Sequence, residues 1–300
     1  VTHRAKLGPR RAVAATRADL NLYYVFNRGE GEGYVIASGD DQTLPVLGYT
    51  DSGEFDYERL PENMRAWLKG YEDQLAQLRE HPELMPAKPR YAPLHDAIEP
   101  MITTKWNQGS PYNDECPMYF NLGRSVTGCV ATAFAQVLNY WADISVTETQ
   151  ADIPAYQTRT AHATLGKLSV EGIPAGSPID WANMLDTYTS SSSGVAKRAV
   201  AQLMHYCGVS VEMDYTNTAS AAYSSMVADA AKKYFGYGNS VRYVQGASYT
   251  SDGWDALLYG ELAAGRPFYL SGSNSEAGHA FVCDGYDGNR CFHINWGWGG

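Results

Sequence analysis

The chain has 300 residues, of which 33 are acidic and 23 are basic, and its formal net charge is −10. This acidic balance disfavours nucleic-acid and anionic-membrane binding, since both need a basic surface. Hydrophobic residues make up 44% of the chain and no apolar run is long enough to cross a bilayer, so we expect a globular protein.

Three short β-rich segments and one helix are predicted in the first part of the chain. The strands fall at 20–26, 34–38 and 44–49, with turn sequences between them. The helix begins near Pro61, and its apolar residues recur at helical spacing. These residues are Met64, Trp67, Leu68, Tyr71, Leu75 and Leu78. The pattern predicts a helix that packs one face against the small sheet.

A proline-rich stretch follows this helix. Its prolines are Pro82, Pro86, Pro89, Pro93 and Pro100. This density is incompatible with a helix or a central strand and indicates an extended linker. Lys88 and Arg90 offer cleavage points for a protease within it. We therefore place a boundary near residue 90, which gives a first domain at residues 1–90 and a second at residues 91–300.

The second domain is predicted to begin with helices and end with strands. From Cys129 to Trp141 the sequence is apolar nearly all round, which indicates a buried central helix. Two amphipathic helices follow around 195–206 and 226–234. Strands are predicted at 267–271, 279–284 and 291–296.

Cys129 is the first candidate for chemistry, because it opens the buried helix directly after Gly128. Backbone amides and the helix dipole at such a position stabilise a thiolate, so we expect the pKa of this thiol to be lowered. The other cysteines are Cys116, Cys207, Cys283 and Cys291, too few for a disulfide framework, and any pairing among them stays open. The chain has no Cys-x-x-Cys or His-x-x-x-His pair, so we expect no metal site.

His279, at the start of a strand, is the candidate base for a thiol nucleophile. If Asp287 and Gly288 form a two-residue hairpin turn, Trp296 lies opposite His279, and a register one residue different places Asn295 there. Asn295 is the preferred orienting residue if a side-chain hydrogen bond is needed, and Trp296 is the competitor.

Two further residues complete the list of candidates from the residues alone. His293 is a rival base, although its mid-strand position favours a structural role. Gln108 lies in a turn-rich loop, and its side-chain N–H together with the Cys129 backbone N–H could stabilise the oxyanion of acyl transfer.

The motifs around these residues resemble the streptopain family of cysteine proteases. In the second domain they are QGSPYN (108–113), TGCVATA (127–133), GHAFV (278–282) and HINWGWGG (293–300). In the first domain they are GYVIASGD (33–40) and LGY (47–49), which are similar to the inhibitory propeptide of that family.

The resemblance implies a fold and a set of roles. The fold is α+β: a papain-like cysteine protease domain, with a helical part and an antiparallel β part, preceded by a small α+β prodomain. In the site, Cys129 is the nucleophile, His279 the base and Gln108 the oxyanion donor, and the orienting segment holds Asn295 and Trp296. The substrate-binding residues implied are Gly278, which lines the cleft, and Ala221, which stands in a facing wall where a serine is expected.

It also implies a secreted virulence protease, made as a zymogen and matured by proteolysis in the linker, with no cofactor. The expected partners are peptide or protein substrates and its own prodomain, not nucleic acid or a membrane. Residues 1–18 lack the apolar segment of a signal peptide, so none is expected within this chain. The sequence stops at Gly300, where the family continues, so we expect the catalytic domain to be truncated at its C-terminus.

Two alternatives remain open. A transglutaminase-like acyltransferase uses the same thiol and imidazole but normally needs an Asp to orient the imidazole. A non-enzymatic adhesin or inhibitor is the other class, suggested by the acidic charge and the 22 tyrosines.

Overall fold

The computed structural model describes residues 22–40, 43–81, 83, 95–273 and 278–300. The chain divides into two compact units at about residue 93, and Ser273 and Gly278 group with the first. Lys88, Arg90 and the boundary near residue 90 lie outside the described residues. The domain limits 1–90 and 91–300 therefore stay a prediction.

The first unit is a three-stranded antiparallel sheet with one helix. The strands are β1 (Tyr23–Asn27), β2 (Tyr34–Ser38) and β3 (Val46–Thr50), in that order, and the helix is α1 (Glu62–Glu80). Tyr23, Val25 and Ile36 from the sheet share a buried cluster with Leu68 of α1. The predicted strands and helix are confirmed.

One residue of the predicted apolar face of α1 is not packed. Leu68 and Leu75 are fully buried, whereas Trp67 is 40% exposed. Leu68, Tyr71 and Leu75 follow one line along the helix, and Trp67 lies at the edge of that stripe. The predicted burial of Trp67 is therefore wrong.

The main core of the second unit is built on three helices. These are α2 (Cys129–Tyr140), α3 (Gly194–Ser210) and α4 (Val227–Tyr234), and each of them was expected from its sequence pattern. Buried residues of all three helices belong to one cluster, which includes Phe134 of α2, Leu203 of α3 and Ala231 of α4. Helix α2 is buried along almost its whole length, as predicted.

The β part of the second unit lies at its C-terminal end. After the two-residue strands β4 (Tyr156–Gln157) and β5 (Ser169–Val170), the chain forms β6 (Phe268–Ser273), β7 (Gly278–Tyr286) and β8 (Phe292–Asn295). These last three form one sheet in the order β6–β7–β8, with β7 and β8 antiparallel. A fifth helix, α5 (Ser251–Ala263), precedes the sheet and was not predicted.

The turn between β7 and β8 differs from the prediction. The Asp287 N–H donates to the Cys291 carbonyl, so three residues form the turn, and Arg290 adopts a positive φ of 75°. A bulge between Cys283 and Gly285 shifts the register again. Asn295 consequently lies opposite Val282, and both predicted partners of His279 in the strand register are wrong.

Two further properties concern the helices and the cysteines. Within the described ranges, no helix is long and apolar enough to span a bilayer. All five cysteines are free thiols, and Cys116, Cys207 and Cys283 are buried.

Candidate active site

Cys129 is the first residue of α2, and its backbone position depends on the glycine before it. Gly128 has φ 82°, a conformation that residues with a side chain rarely adopt. A Cβ at this position would lie 2.8 Å from both the Met213 sulfur and the Ser220 carbonyl oxygen. Gly128 therefore lets the chain turn sharply into α2 and presents Cys129 at the helix N-terminus.

The Cys129 thiol lies in a largely buried environment that contains backbone amides. Burial is the largest effect and raises the pKa of the thiol, while the N–H groups of Ala280, Val130 and Cys129 itself act to lower it. The predicted net lowering of this pKa is therefore wrong, because desolvation outweighs the helix N-terminus. The contact with Ala280 brings the sulfur to the residue directly after His279.

His279, near the start of β7, is held through one ring nitrogen. Its Nε2 lies 2.9 Å from the Trp296 carbonyl oxygen, and since a carbonyl only accepts, Nε2 must carry the hydrogen. Its Nδ1 is buried and has no hydrogen-bond partner among the described residues. The neutral ring therefore keeps an unused acceptor at Nδ1, which is what a general base requires.

Two tryptophans shield this imidazole from water. The Trp298 ring stacks on it at 4.3 Å between centroids and an interplanar angle of 18°, and the Trp296 ring lies at 5.9 Å. Burial lowers the pKa of His279 to about 4, against a smaller opposing effect of the hydrogen bond to Trp296. Trp298 was not among the predicted site residues.

Asn295 takes part in a buried polar network instead of contacting His279. Its Oδ1 accepts from Gln136 Nε2 at 3.2 Å and from the Gly297 N–H at 3.0 Å, and its Nδ2 donates to the Thr104 carbonyl at 2.8 Å. The Thr104 hydroxyl in turn donates to Gln136 Oε1 at 2.8 Å. In this part of the described chain, no hydrogen bond joins Asn295 to His279, so the orienting acceptor is the Trp296 backbone.

Thr104 and Gln136 were missed by the sequence reasoning, although one signal pointed to Gln136. It is a long polar side chain among the buried residues of helix α2, which are otherwise apolar except for Thr132. A buried polar side chain needs partners, so its presence there predicts a polar network nearby.

Gln108 lies on a loop that is hydrogen-bonded to the chain segment just before Cys129. Its carbonyl accepts from the Thr127 N–H at 3.1 Å, and its own N–H donates to Asn107 Oδ1 at 2.7 Å. Gln108 is half-buried. The loop is therefore tied to a residue two positions from Cys129, which is compatible with the predicted role.

The facing wall was predicted around Ser220 and Ala221, and we call the surrounding residues 214–224 the wall loop. Thr216 accepts from the Val126 N–H at 3.1 Å through its carbonyl, and the Ser220 hydroxyl donates to the Val126 carbonyl at 2.7 Å. Ala221 is exposed, and both of its backbone groups bond to Asp214. Its methyl group is therefore what it can offer to a substrate.

The far end of the wall loop reaches strand β6. The hydroxyls of Ser224 and Tyr269 lie 2.7 Å apart. Burial is the main cause that raises the pKa of Tyr269, and the hydrogen bond with Ser224 acts to lower it. Gly278, the other predicted substrate-binding residue, is the exposed first residue of β7.

His293, the rival base, is engaged elsewhere. Its Nδ1 lies 2.6 Å from Oδ1 of the fully buried Asp284, whose other oxygen accepts from the Ile102 N–H at 2.7 Å. These two hydrogen bonds offset the cost of burying the Asp284 carboxylate. In the described part of the chain, no cluster of three or more His, Cys, Asp or Glu side chains could hold a metal ion.

Comparison with protein families gives two matches along the chain. The peptidase C10 family model matches residues 106–300, and the Spi protease inhibitor model matches residues 2–75. The first covers more than half of the chain and includes every predicted site residue.

Two bacterial proteases are similar to the chain in sequence. The chain is 33% identical to the thiol protease/hemagglutinin PrtT of Porphyromonas gingivalis over 96% of this chain, but it spans only 34% of that protein. It is also 33% identical to streptopain of Streptococcus pyogenes, over 92% of this chain and 71% of streptopain.

Two solved structures from Prevotella intermedia are similar in fold. A prointerpain A fragment matches with a TM-score of 0.78 and 30% identity, over 95% of this chain and 88% of the fragment. Active interpain A cysteine protease matches with a TM-score of 0.62 and 34% identity, over 70% of this chain and 87% of that structure. These matches confirm the resemblance and the expected papain-like α+β fold with a small α+β prodomain.

Proposed function

The chain belongs to the peptidase C10 family, as a cysteine protease with an inhibitor-like propeptide, and we propose that it is a secreted endopeptidase zymogen. Cys129 is the nucleophile and His279 the general base, and removal of the prodomain activates the enzyme. The observation that carries this proposal is the state of His279, whose Nε2 is bound to the Trp296 carbonyl while Nδ1 is buried and unpartnered.

The reaction follows from these groups. His279 Nδ1 accepts the thiol proton as the Cys129 sulfur attacks the peptide carbonyl, and the oxyanion is stabilised by the Cys129 N–H and the Gln108 side chain. The Nδ1–H then protonates the leaving amine, which leaves a thioester on Cys129. Water, deprotonated by Nδ1, hydrolyses the thioester, and the proton returns to the sulfur.

Substrate binding in this proposal involves the chain on either side of these groups. Gly278 lines the cleft beside His279, and Ala221 presents its methyl group from the wall loop. Asn295 acts behind the site by fixing the turn that carries the Trp296 carbonyl. Export from the cell and a role in virulence are part of this proposal, as the family resemblance implies, and no cofactor or metal takes part.

The direct test combines labelling with activity. We expect the epoxide inhibitor E-64 to label Cys129 in the matured wild type, which should also hydrolyse casein. Cys129→Ala and His279→Ala should each remove casein hydrolysis and processing of the propeptide. If either variant keeps a near wild-type rate, the assignment of roles is wrong.

Two control variants separate catalysis from packing. His293→Asn keeps an N–H donor for Asp284 and should retain activity. Cys291→Ala removes another half-buried thiol and should leave E-64 labelling unchanged.

The same assay decides between the alternatives. A transglutaminase-like enzyme would incorporate amines faster than it hydrolyses, but it needs an Asp at the position where the Trp296 carbonyl binds His279. A non-enzymatic adhesin or inhibitor would show neither E-64 labelling nor casein hydrolysis.

A further inference from the structure

A cationic side chain with no acidic partner among the described residues is bound to the wall loop. Arg159 is half-buried, and its guanidinium donates to the carbonyls of Glu212 at 3.0 Å and Ala221 at 3.1 Å. The guanidinium also lies 4.7 Å from the centroid of the Tyr223 ring. These contacts fix its position, since two carbonyls and an aromatic face hold a planar guanidinium from different sides.

None of the ion pairs among the described residues involves Arg159. The nearby Asp214 carboxylate accepts instead from the N–H and hydroxyl of Thr160, at 3.1 and 2.5 Å. The Glu212 side chain is exposed to solvent. Arg159 therefore keeps a charge and unused N–H donors in a fixed orientation, which is the arrangement that binds a carboxylate.

Tyr223 adds an exposed aromatic surface next to this charge. It is 63% exposed although it lies between wall-loop residues that are tied to the site. Ser224, directly after it, bonds to Tyr269, and Ser220, three residues before it, contacts Gly128. The Arg159–Tyr223 pair thus flanks the stretch of wall that runs from the nucleophile to β6.

We infer that Arg159 and Tyr223 form a substrate subsite that takes an acidic side chain, Asp or Glu, of the peptide being cleaved. This rests on the proposed function. Contacts link Cys129 to Arg159 through Gly128, Ser220 and Ala221. The position of the acidic residue relative to the scissile bond is determined by scanning it along the substrate.

The test uses the matured wild-type enzyme and matched fluorogenic peptides. Each set differs at one position, scanned two to four residues on either side of the scissile bond, and carries Glu, Gln or Lys there. We expect kcat/KM to favour Glu over Gln by about 3- to 10-fold at one position, which is the size of a partly exposed charge-assisted contact.

Variants assign that preference to the subsite. In Arg159→Met the ratio of Glu to Gln should fall to about one, in Arg159→Lys part of it should remain, and in Arg159→Glu the Lys peptide should become the best substrate. Arg266→Gln removes a surface cation that is paired with Glu261 and should leave the ratio unchanged. Because the readout is a ratio within one enzyme, a general loss of activity from disturbing the wall loop does not change its meaning.

The outcomes are distinguishable. If the wild type cleaves the Gln peptides but shows no preference for Glu at any position, the subsite is wrong and the protease assignment stands. A preference that survives in Arg159→Met also overturns the subsite. If the wild type cleaves no peptide, the proposed function itself fails and the subsite falls with it.

Discussion

The backbone carbonyl of Trp296 determines which nitrogen of His279 is available as a base. A side-chain amide is the more familiar partner for such an imidazole, and Asn295 was the preferred orienting residue for that reason. The sequence could show that Asn295 and Trp296 lie near His279. It could not show a role for a backbone oxygen, because every residue carries the same group. A contact between this segment and His279 was predictable, but the atom that makes it was not.

Gln136 should act as a positioning residue through this segment. Gln136→Met keeps the length of the side chain but removes its hydrogen bonds to Thr104 and Asn295. The turn that carries the Trp296 carbonyl then loses part of its support, so His279 is held less well. A displacement well below 1 Å is enough to reduce the rate, and we expect kcat to fall by about 10- to 100-fold with KM nearly unchanged.

The measurement is kcat per active site, with sites counted by E-64 titration so that misfolded molecules do not contribute. Ser125→Ala is the control. It also removes a buried polar group, but the Ser125 hydroxyl, unlike the Gln136 amide, has no hydrogen-bond partner in the described structure. An unchanged kcat per titrated site in Gln136→Met would show that the network only stabilises the fold.

The burial of His279 predicts an unusual pH dependence. Its pKa is lowered from 6.5 to about 4, because the charged imidazolium loses hydration beneath the tryptophan rings. The ring therefore stays neutral, and able to accept the thiol proton, until the pH falls to about 4. We expect the acidic limb of kcat/KM to have its midpoint near 4, measured in short assays over pH 3 to 8.

The variant Trp298→Ala exposes the imidazole to water and should move this midpoint upward, toward 6.5. The same shift affects stability, because the unfolded chain binds a proton between pH 6.5 and 4 that the folded chain excludes, so folding weakens as the pH falls through this range. A wild-type midpoint above 6 would contradict the proposed environment of His279.

Helix α1 shows how far a periodic pattern predicts packing. The spacing of apolar residues identified the helix and most of its buried face, because Leu68 and Leu75 follow one line along it. It did not separate the centre of the stripe from its edge, where Trp67 stays 40% exposed.

This difference in burial predicts that substitutions of Leu68 and Trp67 lower the stability of the first unit by different amounts. Leu68→Ala should lower the free energy of unfolding by about 2–5 kcal/mol, because it leaves a cavity between α1 and the sheet. Trp67→Ala, at a partly exposed position, should cost clearly less. Both are measured by urea unfolding of the full chain in the Cys129→Ala background, which excludes self-cleavage, and equal costs would contradict the packing.

Helix α5 and the β7–β8 turn escaped prediction for local reasons. Helix α5 contains Gly253 and Gly260, which weaken a helical pattern, and it depends on the Thr250 side chain, which accepts from the Gly253 N–H. The turn looked like a two-residue type because Asp287-Gly288 is typical of one. The Asp287 side chain instead accepts from the N–H groups of Asn289 and Cys291, which closes a longer turn and changes the register.

The acidity of the chain is carried mainly by the second part. Residues 91–300 hold 19 acidic and 11 basic side chains. At physiological ionic strength the field of such a distribution is screened within about 8 Å, so it steers substrates only weakly. Fixed short-range contacts, such as those of Arg159, therefore have more influence on specificity than net charge.

The proposed activation by removal of the prodomain needs a cut between the two units, and the structure of the second unit limits where such a cut can occur. Ile98 exchanges two backbone hydrogen bonds with Tyr286, at 2.7 and 2.8 Å, and Met101 donates to the Asp284 carbonyl. Ahead of them, the His95 ring stacks on Tyr259 at 4.0 Å, and the Tyr259 hydroxyl donates to the Asp96 carbonyl. A backbone bound in this way does not enter the active site of a protease.

We therefore expect every activation cut to fall before Ile98, and the final mature N-terminus to lie close to His95. Mass spectrometry of the processed protein measures both. Tyr259→Ala removes the ring stack and the hydrogen bond at Asp96, so trimming should extend closer to Ile98 and give a mixture of N-termini. A mature enzyme that begins after Ile98 and keeps full activity would contradict this expectation. It would show that the second unit does not need the hydrogen bonds between Ile98 and Tyr286.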